Sequence, residues 1–129
     1  LRNDLVDRPP RREWGREGIT LLGDAAHPML PNLGQGACTA LEDAVALGRC
    51  VEAYGPTTRA LLAYEQLRQM RTARIVRESW RLGIPARWSR SFAVRARETI
   101  VRSLPSSILA RSIRSHIDFD VATVPIPQI

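Results

Sequence analysis

Apolar positions along the chain form one short continuous run followed by a succession of helical periodicities. Ile19-Thr20-Leu21-Leu22 is a β-branched and aliphatic run closed by Gly18 and Gly23. A run of this kind predicts a strand buried on both faces, as in a parallel sheet. Residues 1–18 before it are polar and turn-rich, with Pro9-Pro10, Gly15 and Gly18, and Trp14 is their large apolar anchor. The stretch Asp24 to Gly36 reads DAAHPMLPNLGQG. Its prolines, asparagine and glycines predict a long, shaped loop. A helix is predicted from about Gln35 to Ala53. At 100° per residue, Leu47, Ala40, Val51, Ala44, Ala37, Gly48, Leu41 and Val45 share an arc of about 160°, the predicted buried face. Glu42, Asp43 and Arg49 fall outside it. The face is mostly small, with Gly36, Ala37, Ala40, Ala44 and Gly48 forming a ridge that admits another backbone. Gly55-Pro56 ends the helix.

A second, longer helix begins at Thr57 or Thr58 as N-cap and runs to about Leu82, ahead of Gly83 and Pro85. Arg68, Arg71, Arg74, Arg77 and Arg81 occupy one half of its wheel, predicted to be a solvated or interdomain surface. Leu61, Leu62, Ala73, Val76 and Trp80 occupy the other, although Leu67 and Met70 intrude on the arginine side. Shorter helices follow around Ser89–Ser103 and Ser106–His116, interrupted by Pro105. The tail from Asp118 to Ile129, with Pro125 and Pro127, is expected to be extended or frayed. The chain divides into residues 1–56 (strand, loop, helix) and a helical segment, 57–129. A lone strand has nowhere to place its ladder hydrogen bonds. The sheet partners of residues 19–22 are therefore expected on sequence not included here, and the opening at Leu1 in place of methionine points the same way.

Composition narrows the class. The 129 residues are 44% hydrophobic and 25% charged, the balance of a globular protein. Ala25 to Leu41, the longest uncharged stretch, is too short and too broken by proline and glycine to span a bilayer. Nothing at the start resembles a signal peptide, so a cytoplasmic location is expected. All 19 basic residues are arginine, for a net charge of +6. Residues 1–56 hold six arginines against eight acids, and residues 57–129 thirteen against five. A basic second half opens a competing reading: a helical interaction module for nucleic acid or an acidic partner. The absence of lysine points instead to a general preference for arginine codons, and no nucleic-acid partner is expected. Cys38 and Cys50, twelve residues apart, would stand roughly 18 Å apart on one helix. They are expected to be free thiols, Cys38 as a small buried one. His27 is expected to be a hydrogen-bonded structural residue. Glu42-Asp43 is expected to complement the helix dipole or make structural contacts. His116, Asp118 and Asp120 are expected to be solvated, with no metal bound.

Gly23 to Asp43, GDAAHPMLPNLGQGACTALED, carries the chemistry. A strand ending in Gly23-Asp24 puts a carboxylate at the carboxyl edge of a sheet, where α/β proteins bind ligands. Asp24 can accept hydrogen bonds there, for example from a ribose hydroxyl. The loop then delivers Gly34-Gln35-Gly36 to a helix start, where uncovered amides and about half a positive charge favour an anionic group. This is not the dinucleotide fingerprint. Ala37-Cys38-Thr39 lacks the third glycine, and the preceding loop is too long for the tight strand-to-helix turn.

Gly23-Asp24-Ala25-Ala26-His27-Pro28, Pro31, Gly34-Gln35-Gly36-Ala37 and Glu42-Asp43-Ala44 together resemble the second flavin-binding motif of the single-component FAD-dependent monooxygenases. These are the aromatic hydroxylases similar to para-hydroxybenzoate, salicylate and 3-hydroxybenzoate hydroxylases and to zeaxanthin epoxidase. Asp7-Arg8-Pro9, Trp14, and Tyr64-Glu65 with Arg68 and Arg71 extend the likeness. The resemblance implies an α/β FAD-binding fold, Rossmann-like and para-hydroxybenzoate-hydroxylase-like, of which this chain holds one strand followed by mostly α-helices. It implies that Gly23 and Asp24 lie at the ribityl or ribose hydroxyls of FAD. Pro31 and Gly34 would pass beside the isoalloxazine near a small aromatic substrate, Pro31 as the residue on the catalytic side. Gln35 and the amides of Gly36, Ala37 and Cys38 would face the flavin's pyrimidine edge, where a helix N-terminus stabilises negative charge. In such enzymes NADH or NADPH reduces the flavin and molecular oxygen supplies one atom to the substrate. The family's N-terminal glycine-rich strand, middle Asp-Gly motif and substrate-covering sheet have no counterpart here. The chain is thus expected to be inactive alone.

Overall fold

The computed structural model describes residues 6–129, without the side chains of Leu109 and Ser112. The first five residues of the turn-rich segment and of the 1–56 unit lie outside the described residues. The described residues form α1 (Gly36–Tyr54), α2 (Thr58–Ala86), α3 (Ser91–Ser103) and α4 (Ser106–Ile117). Short 3-10 turns at Gly23–Ala25 and Pro31–Leu33 shape the loop ahead of α1.

Residues 19–22 do not form the predicted strand. Among the described residues the β-structure is an isolated antiparallel bridge between Arg16 and Ile19. Leu22 has extended dihedrals, φ −136° and ψ 147°, but a strand exists only through a neighbour's amides and carbonyls. Without one, Ile19 is 72% exposed. The Arg16–Ile19 bridge closes a turn in which Glu17 (φ 51°) and Gly18 (φ 85°) both take positive φ, as in a type I′ hairpin turn. α2 holds the extended segment: Thr20 Oγ1 donates to Glu65 Oε1 at 2.7 Å and Tyr64 OH to the Leu21 carbonyl at 3.3 Å.

α1 and α2 pack as an antiparallel pair joined at Gly55-Pro56, with Thr57 as N-cap accepting from the Ala60 amide at 3.4 Å. The face that α1 buries is rotated from the predicted one and overlaps it only at its edge. Its buried residues are Thr39, Asp43, Ala46 and Cys50, spaced at helical intervals of four, three and four. Of the expected apolar face, Leu47 and Val51 pack against the core, whereas its other side turns outward, with Leu41 70% and Val45 46% exposed and open space around Gly48. Hydropathy ranks Thr39 and Asp43 as surface residues, whereas hydrogen-bonding partners permit their burial. On α2 the buried stripe runs Ala60, Tyr64, Arg68, Thr72, Val76, Ser79 and Gly83. Arg68 is fully buried, so the arginine half of this helix is not simply a solvated surface.

α2 also passes the predicted stop, carrying Gly83 and Pro85 inside it. A mid-helix glycine costs about 1 kcal/mol relative to alanine, and here the space is used. A Cβ on Gly83 would stand 2.6 Å from Asn32 Nδ2. Arg97 of α3 donates to the Pro85 and Ala86 carbonyls at 3.2 and 3.4 Å, satisfying the end of α2.

The core gathers Trp14, Ala26, Ala46, Cys50, Ala60, Ala63, Tyr64 and Val121. Trp14 is the predicted anchor, its ring tilted against His27 and Tyr64 with centroids 5.5 and 5.8 Å away. Val121 shows that the tail is neither free nor frayed. Arg49 Nη1 donates to the Val121 and Val124 carbonyls at 2.6 and 2.8 Å, and Tyr54 OH to the Pro127 carbonyl at 2.8 Å.

Gly15 is the tightest point of this packing. A Cβ there would lie 2.2 Å from the Ile19 carbonyl oxygen and 2.6 Å from Glu65 Oε1. Gly15→Ala is expected to destabilise the chain by about 1–3 kcal/mol, read as a lowered urea midpoint at unchanged slope.

Candidate functional site

The loop from Gly23 to Gln35 is built around one carboxylate. Asp43, fully buried on α1, accepts from the Gly23 amide at 3.0 Å, His27 Nε2 at 2.5 Å and Arg68 Nε at 2.7 Å. Loop, α1 and α2 therefore meet on two oxygens. Arg68 continues through Nη2 to Glu42 Oε2 at 2.7 Å, and Arg71 grips the same carboxylate at both oxygens, at 2.8 and 2.7 Å. Arg71 in turn lies 3.6 Å from the Phe119 ring centroid, a cation–π contact. Burial alone would push the Asp43 and Glu42 carboxyls up. The bonds and charges of His27 and Arg68 on Asp43, and of Arg71 and Arg68 on Glu42, outweigh it and hold both below the ordinary carboxylate range. His27 and the Glu42-Asp43 pair are thus structural contacts.

The predicted site residues lie in the loop beside this cluster and in the first turn of α1. Gly23 is buried with φ 61°, and a Cβ on it would meet Ala40 Cβ at 3.1 Å. Asp24 is exposed, and its Oδ1 lies 3.7 Å from where a Cβ on Gly36 would stand. The carboxylate accordingly neighbours the N-terminus of α1. Pro31 is exposed at the first position of the second 3-10 turn. Gly34 closes that turn at φ 63°, facing open space where its side chain would be. Gln35 is the N-cap of α1, makes no side-chain capping bond, and accepts the Thr39 amide and hydroxyl at its carbonyl at 2.8 and 2.6 Å. The first-turn amides of Gly36, Ala37 and Cys38 are accordingly not covered by a capping side chain, nor does the first turn hold an acid. Cys38 is exposed, not the buried thiol expected, because the covered face of α1 is the Thr39–Asp43 face; Cys50 is the buried one. Both thiols are free.

The sequence reading missed the contacts that hold this loop. Arg8 Nη2 donates to the Ala25 carbonyl and, at 3.0 Å, to that of Ala26. Ser79 Oγ donates to the Leu30 carbonyl at 2.5 Å, and Asn32 Nδ2 to the Ser79 carbonyl at 2.8 Å. The available signal was Gly83, one turn beyond Ser79 within a continuous helical pattern. Farther away, His116 Nε2 donates to Glu78 Oε2 at 2.7 Å, and Asp120 accepts the Ala122 amide at 2.9 Å in the tail turn. Among the described residues no His, Cys, Asp or Glu group is arranged to hold a metal ion. No helix there is long and apolar enough to cross a membrane.

The site thus pairs an exposed carboxylate with uncapped amides at a helix start, and presents an open glycine turn beside them. The FAD binding domain family model matches residues 8–79, more than half of the chain, and the chain belongs to that family. It is 40% identical over 119 residues to an aurachin C monooxygenase/isomerase of Stigmatella aurantiaca, covering 92% of this chain and 31% of that protein. It is 50% identical over 79 residues to a 3-hydroxybenzoate 6-hydroxylase of Klebsiella oxytoca, covering 60% of this chain and 20% of that protein. The crystal structure of Klebsiella pneumoniae HpxO complexed with FAD and uric acid superposes with a TM-score of 0.78 at 28% identity, over 86% of this chain and 28% of that one. The chain spans about a third or less of the length of these relatives.

Because Glu42 and Asp43 are held below their ordinary range, the unfolded chain binds more protons than the folded one as the solution is acidified. Their contribution is complete above the ordinary carboxylate range, about pH 4. It is lost as pH falls through the depressed folded values. Glu42→Gln is expected to lower stability at neutral pH and flatten that acid limb, as measured by urea midpoints across a pH series.

Proposed function

We propose that the chain is the flavin-facing C-terminal part of a single-component FAD-dependent monooxygenase that hydroxylates a small aromatic or related molecule, using NADH or NADPH and molecular oxygen. The observation that carries this reading is the exposed Asp24 carboxylate beside the uncapped N-terminus of α1. FAD presents hydroxyls that a carboxylate grips and a pyrimidine edge that amide donors suit, so the donor set fits the group. Asp24 takes the ribityl or ribose hydroxyls, with the Gly23 turn bringing it to the surface. The amides of Gly36, Ala37 and Cys38, following Gln35, donate to the pyrimidine edge, and the helix dipole favours negative charge there. Pro31 and Gly34 line the path beside the ring system and toward the substrate. When bound, FAD supplies the redox and oxygen chemistry, and the protein supplies position and exclusion of water.

In this reading residues 1–56 complete an α/β FAD-binding domain, and residues 57–129 are a helical segment that braces it. The outward apolar face of α1, with Leu41 and Val45, and the unpaired segment at Ile19 pack against parts of the enzyme beyond this chain. The chain alone does not turn over substrate, and the whole enzyme works in the cytoplasm. The competing reading, a basic interaction module, loses support from the arginines themselves. Arg68 and Arg71 are bound to Glu42 and Asp43, and Arg74 to Glu78 at 2.8 Å.

The test is FAD retention by the longer protein carrying this chain, as wild type and as Asp24→Ala. A charge-assisted hydrogen bond is worth about 1.5–3 kcal/mol, so affinity is expected to fall roughly tenfold or more. A wild-type protein that purifies colourless and ignores added FAD overturns the proposal.

A further inference from the structure

We infer that Ser79, Asn32 and Gly83 are positioning residues: a strap that seats the Leu30–Gly34 turn on α2 and thereby fixes where Pro31 and Gly34 stand. The inference rests on the flavin reading above for what the turn faces, and on the contacts alone for what holds it. The Pro31–Leu33 turn has no fully buried residue, and Leu33 is only half-buried, so its place depends on polar contacts to α2. Ser79 Oγ donates to the Leu30 carbonyl at 2.5 Å, and the Ser79 carbonyl accepts from Asn32 Nδ2 at 2.8 Å. One fully buried residue therefore both gives and receives a bond, and the two loop partners flank Pro31 on either side.

Gly83 makes the second bond possible. In a regular helix the Ser79 carbonyl already takes the amide four residues on, that of Gly83. A second donor must approach the helix backbone closely at that point. A Cβ on Gly83 would stand 2.6 Å from Asn32 Nδ2 and 3.5 Å from Leu30 Cδ1. The strap shares no residue with the cluster of Asp43, Glu42, Arg68 and Arg71. α2 thus holds α1 with its first half and the turn with its second, and sets the spacing between them.

Asn32→Asp keeps the shape but removes the donor, at an exposed residue whose change spares the core. Gly83→Ala displaces the Asn32 amide while leaving the Ser79 hydroxyl in place. In the 129-residue chain, both variants are expected to speed amide exchange across residues 30–36 roughly fivefold and leave the first half of α2 unchanged. In the flavin-loaded longer protein, both are expected to shift the visible absorption band of the flavin and lower kcat while FAD affinity holds. Unchanged exchange in both variants overturns the strap. Faster exchange with an unmoved flavin band overturns its positioning role. A colourless wild type overturns the flavin reading and that role with it, and the exchange result then separately decides whether the strap holds the turn.

Discussion

One buried carboxylate organises the molecule. Asp43 is sealed from solvent, and an ion in that position is tolerable only with its charge and lone pairs met. The chain meets them from three directions: a loop amide, a loop imidazole and a guanidinium from α2. Removing a partner from a buried pair of this kind costs about 3–5 kcal/mol, because the remaining charge is stranded. Loop path, helix register and helix pairing are consequently not independent variables. The turn at Gly23 must present its amide, α1 must point residue 43 inward, and α2 must set Arg68 opposite. The surface that carries Asp24 and the α1 amides is a by-product of that arrangement, so its shape originates largely in buried residues behind it.

The elements were largely legible in the sequence because their signals are local. Gly55-Pro56 stops α1, Thr57 caps α2, and Pro105 separates α3 from α4, each by the backbone chemistry of a residue or two. The glycine and proline content of residues 24–36 likewise announced a shaped loop leading into a helix start. The face that α1 buries was legible only at its edge, through Leu47 and Val51. Hydropathy counts Ala44, Val45 and Leu41 as interior and Asp43 as exterior, and no local rule reveals that Arg68, 25 residues later, neutralises Asp43. The same blindness made the arginine stripe of α2 look solvated. Gly83 was read as punctuation for a related reason: a glycine that ends a helix and a glycine that admits a neighbouring amide look alike without the neighbour.

The outward faces are also informative. Leu41 and Val45 on α1, together with Ile19, are large apolar residues left in water, as are Phe92 on α3 and Ile117 on α4. Scattered exposed leucines are ordinary, but a stripe along one helix marks a contact surface. Under the proposed function, the α1 stripe and the extended segment before the loop adjoin the rest of the FAD-binding domain. A helix that buries Ala46 and Cys50 in the core with Ala60, Ala63 and Tyr64 of α2, and keeps Leu41 and Val45 on its open side, then has apolar positions for two neighbours.

The C-terminal tail shows how a route can be prescribed without prescribing letters. Arg49 and Tyr54 take hold of it through the peptide oxygens of Val121, Val124 and Pro127, and every amino acid offers that oxygen. Val121, which enters the core, and Ile126, which packs against it, answer for their side chains. The other residues between 122 and 128 can therefore drift widely in identity while their course across α1 stays the same, so divergence there is a poor guide to divergence in shape.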